Sequence, residues 1–185
     1  NEGTVFMTYD RLGNLTSVKE DIRRPESSFS QRSETRFEYE PTFSQLTKLI
    51  DARRDSLLDF NHPCPEGCTT RIEYDAQGNP LRIIDHEGNV TSFTYDSRGL
   101  LLAVTDALGN LTPDIADDHQ GRFTYNPATG NLLSTSDQIG RTTSLSYDAA
   151  GNVQASTDAE NRATTFAYDA MSRLTEVLDA LGGRT

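Results

Sequence analysis

The densest cluster of metal-type and redox-type side chains is His62-Pro63-Cys64-Pro65-Glu66-Gly67-Cys68. Zinc takes four tetrahedral ligands, whereas His62, Cys64 and Cys68 supply three at a spacing that matches no standard zinc motif. A Cys64–Cys68 disulfide tightening this segment is the simpler account in an oxidising setting, provided the two Cα atoms come within reach. Free thiols and a metal remain as the alternatives. The three histidines, His62, His86 and His119, fall in or beside turns and loops. No nucleophile elbow, P-loop, dinucleotide fingerprint or HExxH accompanies them. Carboxylate pairs for glycoside hydrolysis meet in space and not in sequence, so the 28 acids permit such a pair without indicating one. Calcium-binding β-rolls carry denser Gly and Asp at a nine-residue period, and an EF-hand alternates its acids before a Glu at position twelve. Neither pattern is present. The expectation is no catalytic residue, no metal and no cofactor.

The seven tyrosines are the other chemistry-bearing set, and they share one register: Tyr9, Tyr39, Tyr74, Tyr95, Tyr125, Tyr147 and Tyr168. Exposed, they would form a platform for stacking sugars. Packed, each would sit between neighbouring hairpins with its hydroxyl on a backbone group or water. A residue needed once per repeat for folding recurs in every copy, so packing is the preferred reading.

The repeat itself must position them. The tyrosine spacings are 30, 35, 21, 30, 22 and 21, a unit of 21 or 22 residues with three copies lengthened. An acid or amide always follows: Asp10, Glu40, Asp75, Asp96, Asn126, Asp148 and Asp169. Two places before stands an apolar residue, and four places before stands Thr in five copies (Thr35, Thr70, Thr91, Thr143, Thr164). Positions −4, −2 and 0 share one face of an extended strand, and β-branched and aromatic residues suit it.

Asp-x-x-Gly punctuates these strands, as in Asp10–Gly13, Asp75–Gly78, Asp96–Gly99 and Asp148–Gly151. It recurs at Asp85–Gly88, Asp106–Gly109, Asp118–Gly121, Asp137–Gly140 and Asp179–Gly182, with Asn161 standing for Gly after Asp158. Such an aspartate accepts hydrogen bonds from amides two or three residues on, and the glycine takes the positive φ that closes the turn. Eleven acids at turn starts explain much of the −11 net charge. After each tyrosine turn comes an apolar pair offset by three, such as Leu15/Val18, Leu101/Val104 and Leu174/Val177. That odd offset needs either a bulge or partial burial of both sheet faces, and the second is favoured for a wide sheet. Arg141 and Arg162 are placed to bridge to aspartates of neighbouring hairpins. Polar segments 22–34, 52–69 and 111–120 are expected to be exposed insertion loops.

Composition narrows the function classes. An acidic chain with only Lys19 and Lys48 as lysines attracts a phosphate backbone poorly, so nucleic acid is not an expected partner. No apolar stretch approaches the roughly 18 residues of a membrane span, and no signal peptide is visible.

Tyr-Asp-x-x-Gly-Asn-Leu at 9–15, Tyr-Asp-Ala-Ala-Gly-Asn-Val at 147–153 and Thr-Asp-Ala-Leu-Gly-Asn at 105–110 resemble the YD repeats of the Rhs family. That family includes bacterial polymorphic toxins, shell components of insecticidal toxin complexes, wall-associated proteins and teneurins. The resemblance covers essentially the whole chain. It implies an all-β fold, a curved, twisted ribbon of tandem antiparallel hairpins over 1–185 that spirals into a hollow shell, which in toxin members encloses a toxic domain. The family's self-cleaving core motif has no match here, so autoproteolysis is not carried over. Asn1-Glu2-Gly3 and Asp179-Ala-Leu-Gly-Gly align with the same inter-repeat turn, so a piece of a larger array is expected, with edges that self-associate or pack against further repeats. The implied role is a non-catalytic shell segment, secreted or on a bacterial cell surface, with neighbouring repeats and an enclosed toxin as partners. The alternative is an adhesion or glycan-binding module using an exposed face or the insertion loops.

Overall fold

In the computed structural model the described residues are 4–23, 30–51, 68–111 and 119–184. They form fourteen antiparallel strands in one open sheet, ordered β1 to β14 as in the sequence. The chain divides into two compact units, Asn1–Thr91 and Ser92–Thr185. The first carries β1 (Thr4–Tyr9), β2 (Leu15–Arg23), β3 (Ser30–Tyr39), β4 (Leu46–Asp51), β5 (Cys68–Tyr74) and β6 (Pro80–Ile84). The second carries β8 (Leu101–Thr105), α1 (Ala107–Leu111), β9 (Gln120–Tyr125), β10 (Leu132–Ser136), β11 (Thr142–Tyr147), β12 (Val153–Thr157), β13 (Ala163–Tyr168) and β14 (Leu174–Leu178). The unit boundary falls within β7 (Val90–Tyr95). No helix among the described residues is long and apolar enough to cross a membrane.

Every tyrosine ends the first strand of a hairpin, so the repeat unit and the hairpin coincide. The expected period of two holds. In β11, Thr143, Leu145 and Tyr147 are half-buried while Thr142, Ser144 and Ser146 are exposed, and β13 repeats the pattern. The opposite face mixes small and hydroxyl side chains with cross-strand ion pairs such as Lys48–Glu38 and Arg82–Glu73. Ser17 and Ala103, two of the few buried residues, lie there, and Thr8 Oγ1 meets Ser17 Oγ at 2.8 Å. No described side chain is completely enclosed, so the stabilising unit is the contact between adjacent hairpins and not a central core.

The odd offset of the apolar pairs has a single cause, and it is the bulge. In β1–β2, Thr8 pairs with Ser17 but Tyr9 pairs with Leu15, leaving Thr16 without an opposite residue. The same shift follows the tyrosine in the other six hairpins, where Thr47, Leu81, Leu102, Leu133, Gln154 and Thr175 are the extra residues. One inserted residue flips the alternation, so Leu15 faces Tyr9 and Val18 faces Met7 on the same side. This corrects the expectation that the pair straddles the two faces.

The insertions also differ from the sequence reading at their margins. Residues 22–23 and 30–34 are strand, with Ile22 opposite Gln31 and Arg23 opposite Ser30, because β2 and β3 continue their ladder past the usual hairpin length. Cys68 and Thr69 likewise belong to β5, paired with Asp51 and Ile50. The centres of the three insertions, 24–29, 52–67 and 112–118, lie outside the described residues. Gly121 is not a turn glycine: it occupies the −4 strand position of the Tyr125 copy, opposite Val104.

Candidate functional site

Each regular turn is organised by its first carboxylate. Asp148 Oδ1 accepts the amides of Ala150 and Asn152, both at 2.9 Å, while the Asp148 amide donates to the Asn152 carbonyl at 2.9 Å. Asp10, Asp75, Asp85, Asp96, Asp137, Asp158, Asp169 and Asp179 repeat this geometry. The accepted amides are therefore two and four residues on, not two and three. The loop closes at the fifth residue, and the residue at +3 turns the chain so that the +4 amide points back. Gly78 sits there at φ 87°, Asn161 at 61° and Ser172 at 58°, all in the left-handed region that favours glycine and tolerates Asn.

Asp96 Oδ2 takes Arg98 Nε from +2, whereas in seven of these turns the second carboxylate oxygen takes the side chain at +4. Asn14, Asn79, Asn89 and Asn152 donate their amides to it, and Arg141, Arg162 and Arg173 donate Nε at 2.7 Å. Arg141 and Arg162 thus bind the aspartate of their own turn, which corrects the expected bridge to a neighbouring hairpin. The recurrence of Asn or Arg at +4 was the available signal. These donors hold the carboxylates below their ordinary range: the Asn14 side chain foremost for Asp10, the Asn152 side chain for Asp148, the Leu100 amide for Asp96 and the Arg173 amide for Asp169. Up to three hydrogen bonds to each carboxylate come from within its own turn, so these acids serve the loop. Among the described residues no group of three His, Cys, Asp or Glu side chains is placed to hold a metal.

Three turns depart from the rule. Glu40 and Asn126 each open a turn one residue longer, with Pro41 and Pro127 next and closure at Gln45 and Asn131. Glu40 compensates with reach, accepting the amides of Thr42, Phe43 and Gln45. Asp106 begins α1, where its Oδ1 caps the amides of Leu108 and Gly109 at 3.0 and 3.1 Å. Gly109 is accordingly helical, not a turn residue. His119, at φ 60°, stands where +4 normally does: its carbonyl accepts the Asp106 amide at 3.0 Å and its Nδ1 donates to Asp106 Oδ2 at 3.0 Å. The insertion at 111–120 is thus spliced into a turn whose two ends keep their usual bonds.

The tyrosines link one hairpin to the one before it. Tyr39 Oη donates to the Leu15 carbonyl at 2.9 Å, Tyr74 Oη to the Leu46 carbonyl at 2.8 Å and Tyr147 Oη to the Leu132 carbonyl at 2.8 Å. In each case the acceptor is the residue paired with the preceding hairpin's tyrosine: Leu15 with Tyr9, Leu46 with Tyr39, Leu132 with Tyr125. Burial, and then the charge of Glu40, push the Tyr74 phenol above its usual value. Tyr9 differs: exposed at 58%, it donates only to the Met7 sulfur at 3.4 Å. Tyr95, Tyr125 and Tyr168 end β7, β9 and β13 in the same register. Further links run between turns: Gln45 Nε2 donates to the Gly78 carbonyl at 2.7 Å, Arg98 Nη1 to the Pro127 carbonyl at 3.0 Å, and Gln138 Nε2 to Asp106 Oδ2 at 2.8 Å. Sequence periodicity alone did not mark these, because the partners sit 29 to 33 residues apart.

Cys68 opens β5, is buried and is disulfide-bonded. The chain's one other cysteine, Cys64, lies with His62 outside the described residues.

The RHS repeat model matches residues 74–111, 125–163 and 147–184, more than half of the chain. Among curated proteins nothing matches. Among solved structures, the TcdB2–TccC3–Cdc42 crystal structure is similar with a TM-score of 0.56 at 15% identity, over 96% of this chain and 10% of the matched chain. The Photorhabdus luminescens Tc holotoxin pore carrying a TccC3 mutation gives a TM-score of 0.54 at 16% identity, with the same coverage of 96% and 10%. The chain thus spans about a tenth of the length of these proteins, and at such identity the likeness is one of fold. Repeat register, hairpin geometry and the three tandem matches converge: the chain belongs to the RHS repeat family.

Proposed function

We propose that the chain, over residues 1–185, is a non-catalytic wall segment of an Rhs-type shell that encloses a toxin in the full-length protein, secreted or displayed at a bacterial surface. The observation that carries this reading is the tyrosine clasp. A phenol that donates its hydroxyl to the preceding hairpin's backbone is a joint between wall elements, which supports a packing role for the ring. The repeat residues Tyr, Asp and Gly then serve the wall, and the partners are neighbouring repeats and the enclosed cargo.

The test separates stability from binding. Tyr74→Ala and Tyr147→Ala should lower the melting temperature and leave no separate ligand-binding defect. A glycan array offers the opposing result. Saturable glycan binding that is lost in Phe43→Ala without a change in melting temperature would overturn the wall reading, since the exposed Phe43 lines an open groove of about 380 Å³ with Tyr74 and Ile72.

A further inference from the structure

Asparagine with threonine two places on, and no proline between, is the acceptor motif of N-linked glycosylation. The chain carries it three times, as Asn14-Leu15-Thr16, Asn89-Val90-Thr91 and Asn110-Leu111-Thr112. Each asparagine stands four residues after a turn aspartate, so the local fold decides which of them can carry a sugar. Asn110 lies half-buried in α1 and gives its two Nδ2 hydrogens to the carbonyls of Thr105 and Asp106 at 3.0 and 2.8 Å, while its Oδ1 accepts Ser92 Oγ at 2.9 Å. A glycosylated amide keeps one N–H, so a sugar there would break one of these half-buried bonds. Asn14 is half-buried too, and the hydroxyl its motif requires, Thr16 Oγ1, lies 2.9 Å from Thr8 Oγ1. Asn89 is exposed, in the turn that joins β6 to β7 at the strand ends away from the tyrosines. That turn stands clear of its surroundings: a Cβ added at Gly88 would meet nothing within 4 Å. Asn89 Nδ2 donates to Asp85 Oδ2 at 2.9 Å and to Glu87 Oε2 at 3.1 Å. Glu87 is the acid two places before the asparagine, where the other two motifs have Leu12 and Leu108.

We propose that Asn89 is an N-glycosylation site, the acceptor for an oligosaccharide carried on a lipid pyrophosphate. In the transfer, Asn89 Nδ2 bonds to the anomeric carbon as that carbon's bond to the pyrophosphate oxygen breaks. The electron pair leaves with the pyrophosphate, and one Nδ2 proton passes to a base of the transferase. Thr91, two places after, supplies the hydroxyl of the motif, and Glu87, two places before, supplies the acid that bacterial oligosaccharyltransferases read beside it. Once the sugar is attached, the remaining N–H stays on Asp85 and only the exposed bond to Glu87 is given up. Asp85 Oδ1 still accepts the amides of Glu87 and Asn89, so the turn keeps its shape. The bulky, hydrated group then sits on a turn tip, where it does not compete with the tyrosine clasps. The inference rests on the exported setting proposed above and not on the shell or its cargo.

The experiment treats the folded 185-residue chain with a purified bacterial oligosaccharyltransferase, its divalent cation and a lipid-pyrophosphate oligosaccharide of known mass. Intact mass counts the sugars, and peptide fragmentation places them. The expected result is a gain of one oligosaccharide, on Asn89. Asn89→Gln and Glu87→Gln, both at exposed positions, should each abolish the gain, and Asn14→Gln should leave it unchanged. A chain that gains no mass overturns the inference, and so does sugar found on Asn14 or Asn110 in place of Asn89. Transfer undiminished in Glu87→Gln overturns it as well, since the three-residue motif and not this turn would then select the site. None of these outcomes touches the wall reading, which the melting temperatures of Tyr74→Ala and Tyr147→Ala decide.

Discussion

The hairpins β1–β2 and β11–β12 share one local code yet differ in what their tyrosines do. Both carry a Tyr-Asp pair, a glycine at +3 of the turn near φ 87–88°, an Asn at +4 and a bulge after the tyrosine. Tyr147 reaches the Leu132 carbonyl of the preceding hairpin, whereas Tyr9 lies exposed and donates to Met7. The turn is therefore a property of its own residues, and the clasp is a property of two hairpins together. A repeat array of this kind gains stability at its nearest-neighbour contacts, so identical residues contribute unequally according to what stands behind them.

Truncating the two tyrosines should expose the largest difference. Tyr147→Ala removes a half-buried ring and its hydroxyl bond, at a loss of about 2–3 kcal/mol, below the range for a fully enclosed aromatic. Tyr9→Ala should change stability by no more than about 0.5 kcal/mol, as exposed positions do. Chemical denaturation of both variants decides the matter, and equal losses would break the contrast between clasped and unclasped hairpins.

The turns should behave alike wherever they stand. Gly13→Ala and Gly151→Ala each force a Cβ into the left-handed region, a loss of about 1–2 kcal/mol, with nothing within 4 Å of either site to add a clash. Ser172→Gly relieves the same strain in the Tyr168 turn and should raise stability by up to about 1 kcal/mol. A glycine substitution that hurts β11–β12 far more than β1–β2 would mean that turn and clasp are coupled. Smaller again is Tyr147→Phe, which keeps the ring and loses about 1 kcal/mol with the hydroxyl bond, against no measurable change for Tyr9→Phe in the monomer.

The sequence made the hairpin legible because its signals are local: the alternation ending at Tyr147 and the Asp148–Gly151 turn need only a few consecutive residues. The −4, −2, 0 face and the left-handed Asn161 are found where the spacing put them. The bulge was not decided by the sequence, since an offset of three at Leu15/Val18 is equally the mark of two half-covered faces until the partner strand fixes the register. Asp106-Ala-Leu-Gly109 reads as a turn, but there the residue that closes the loop is His119 and the local chain is free to wind into α1. The own-turn bonds of Arg141 and Arg162 are not legible in the sequence, because the distance from +4 back to the turn carboxylate is invisible without the loop's shape. Links such as Gln45 to Gly78 depend on how hairpins stand side by side, which no single repeat encodes.

Acid should weaken both hairpins together and so mark the limit of the contrast. Asp10 and Asp148 are each held below the usual 3.8 by the side chain of the Asn at +4 and by backbone amides. A carboxylate whose folded pKa lies below its unfolded value binds fewer protons in the native state, so stability rises with pH across that interval. The contribution is fully present above the unfolded value of about 3.9 and is lost as pH falls through the lower folded value. Most of the chain's turn aspartates shift in this direction, so the denaturation midpoint should fall steeply below about pH 4. Carboxyl NMR titrations of Asp10 and Asp148 should agree with each other, both below 3.8, since neither depends on a neighbouring hairpin. An Asp148 that titrates low beside an Asp10 at its ordinary value would show that the clasp tightens the turn, and the two would have to be treated as one cooperative element.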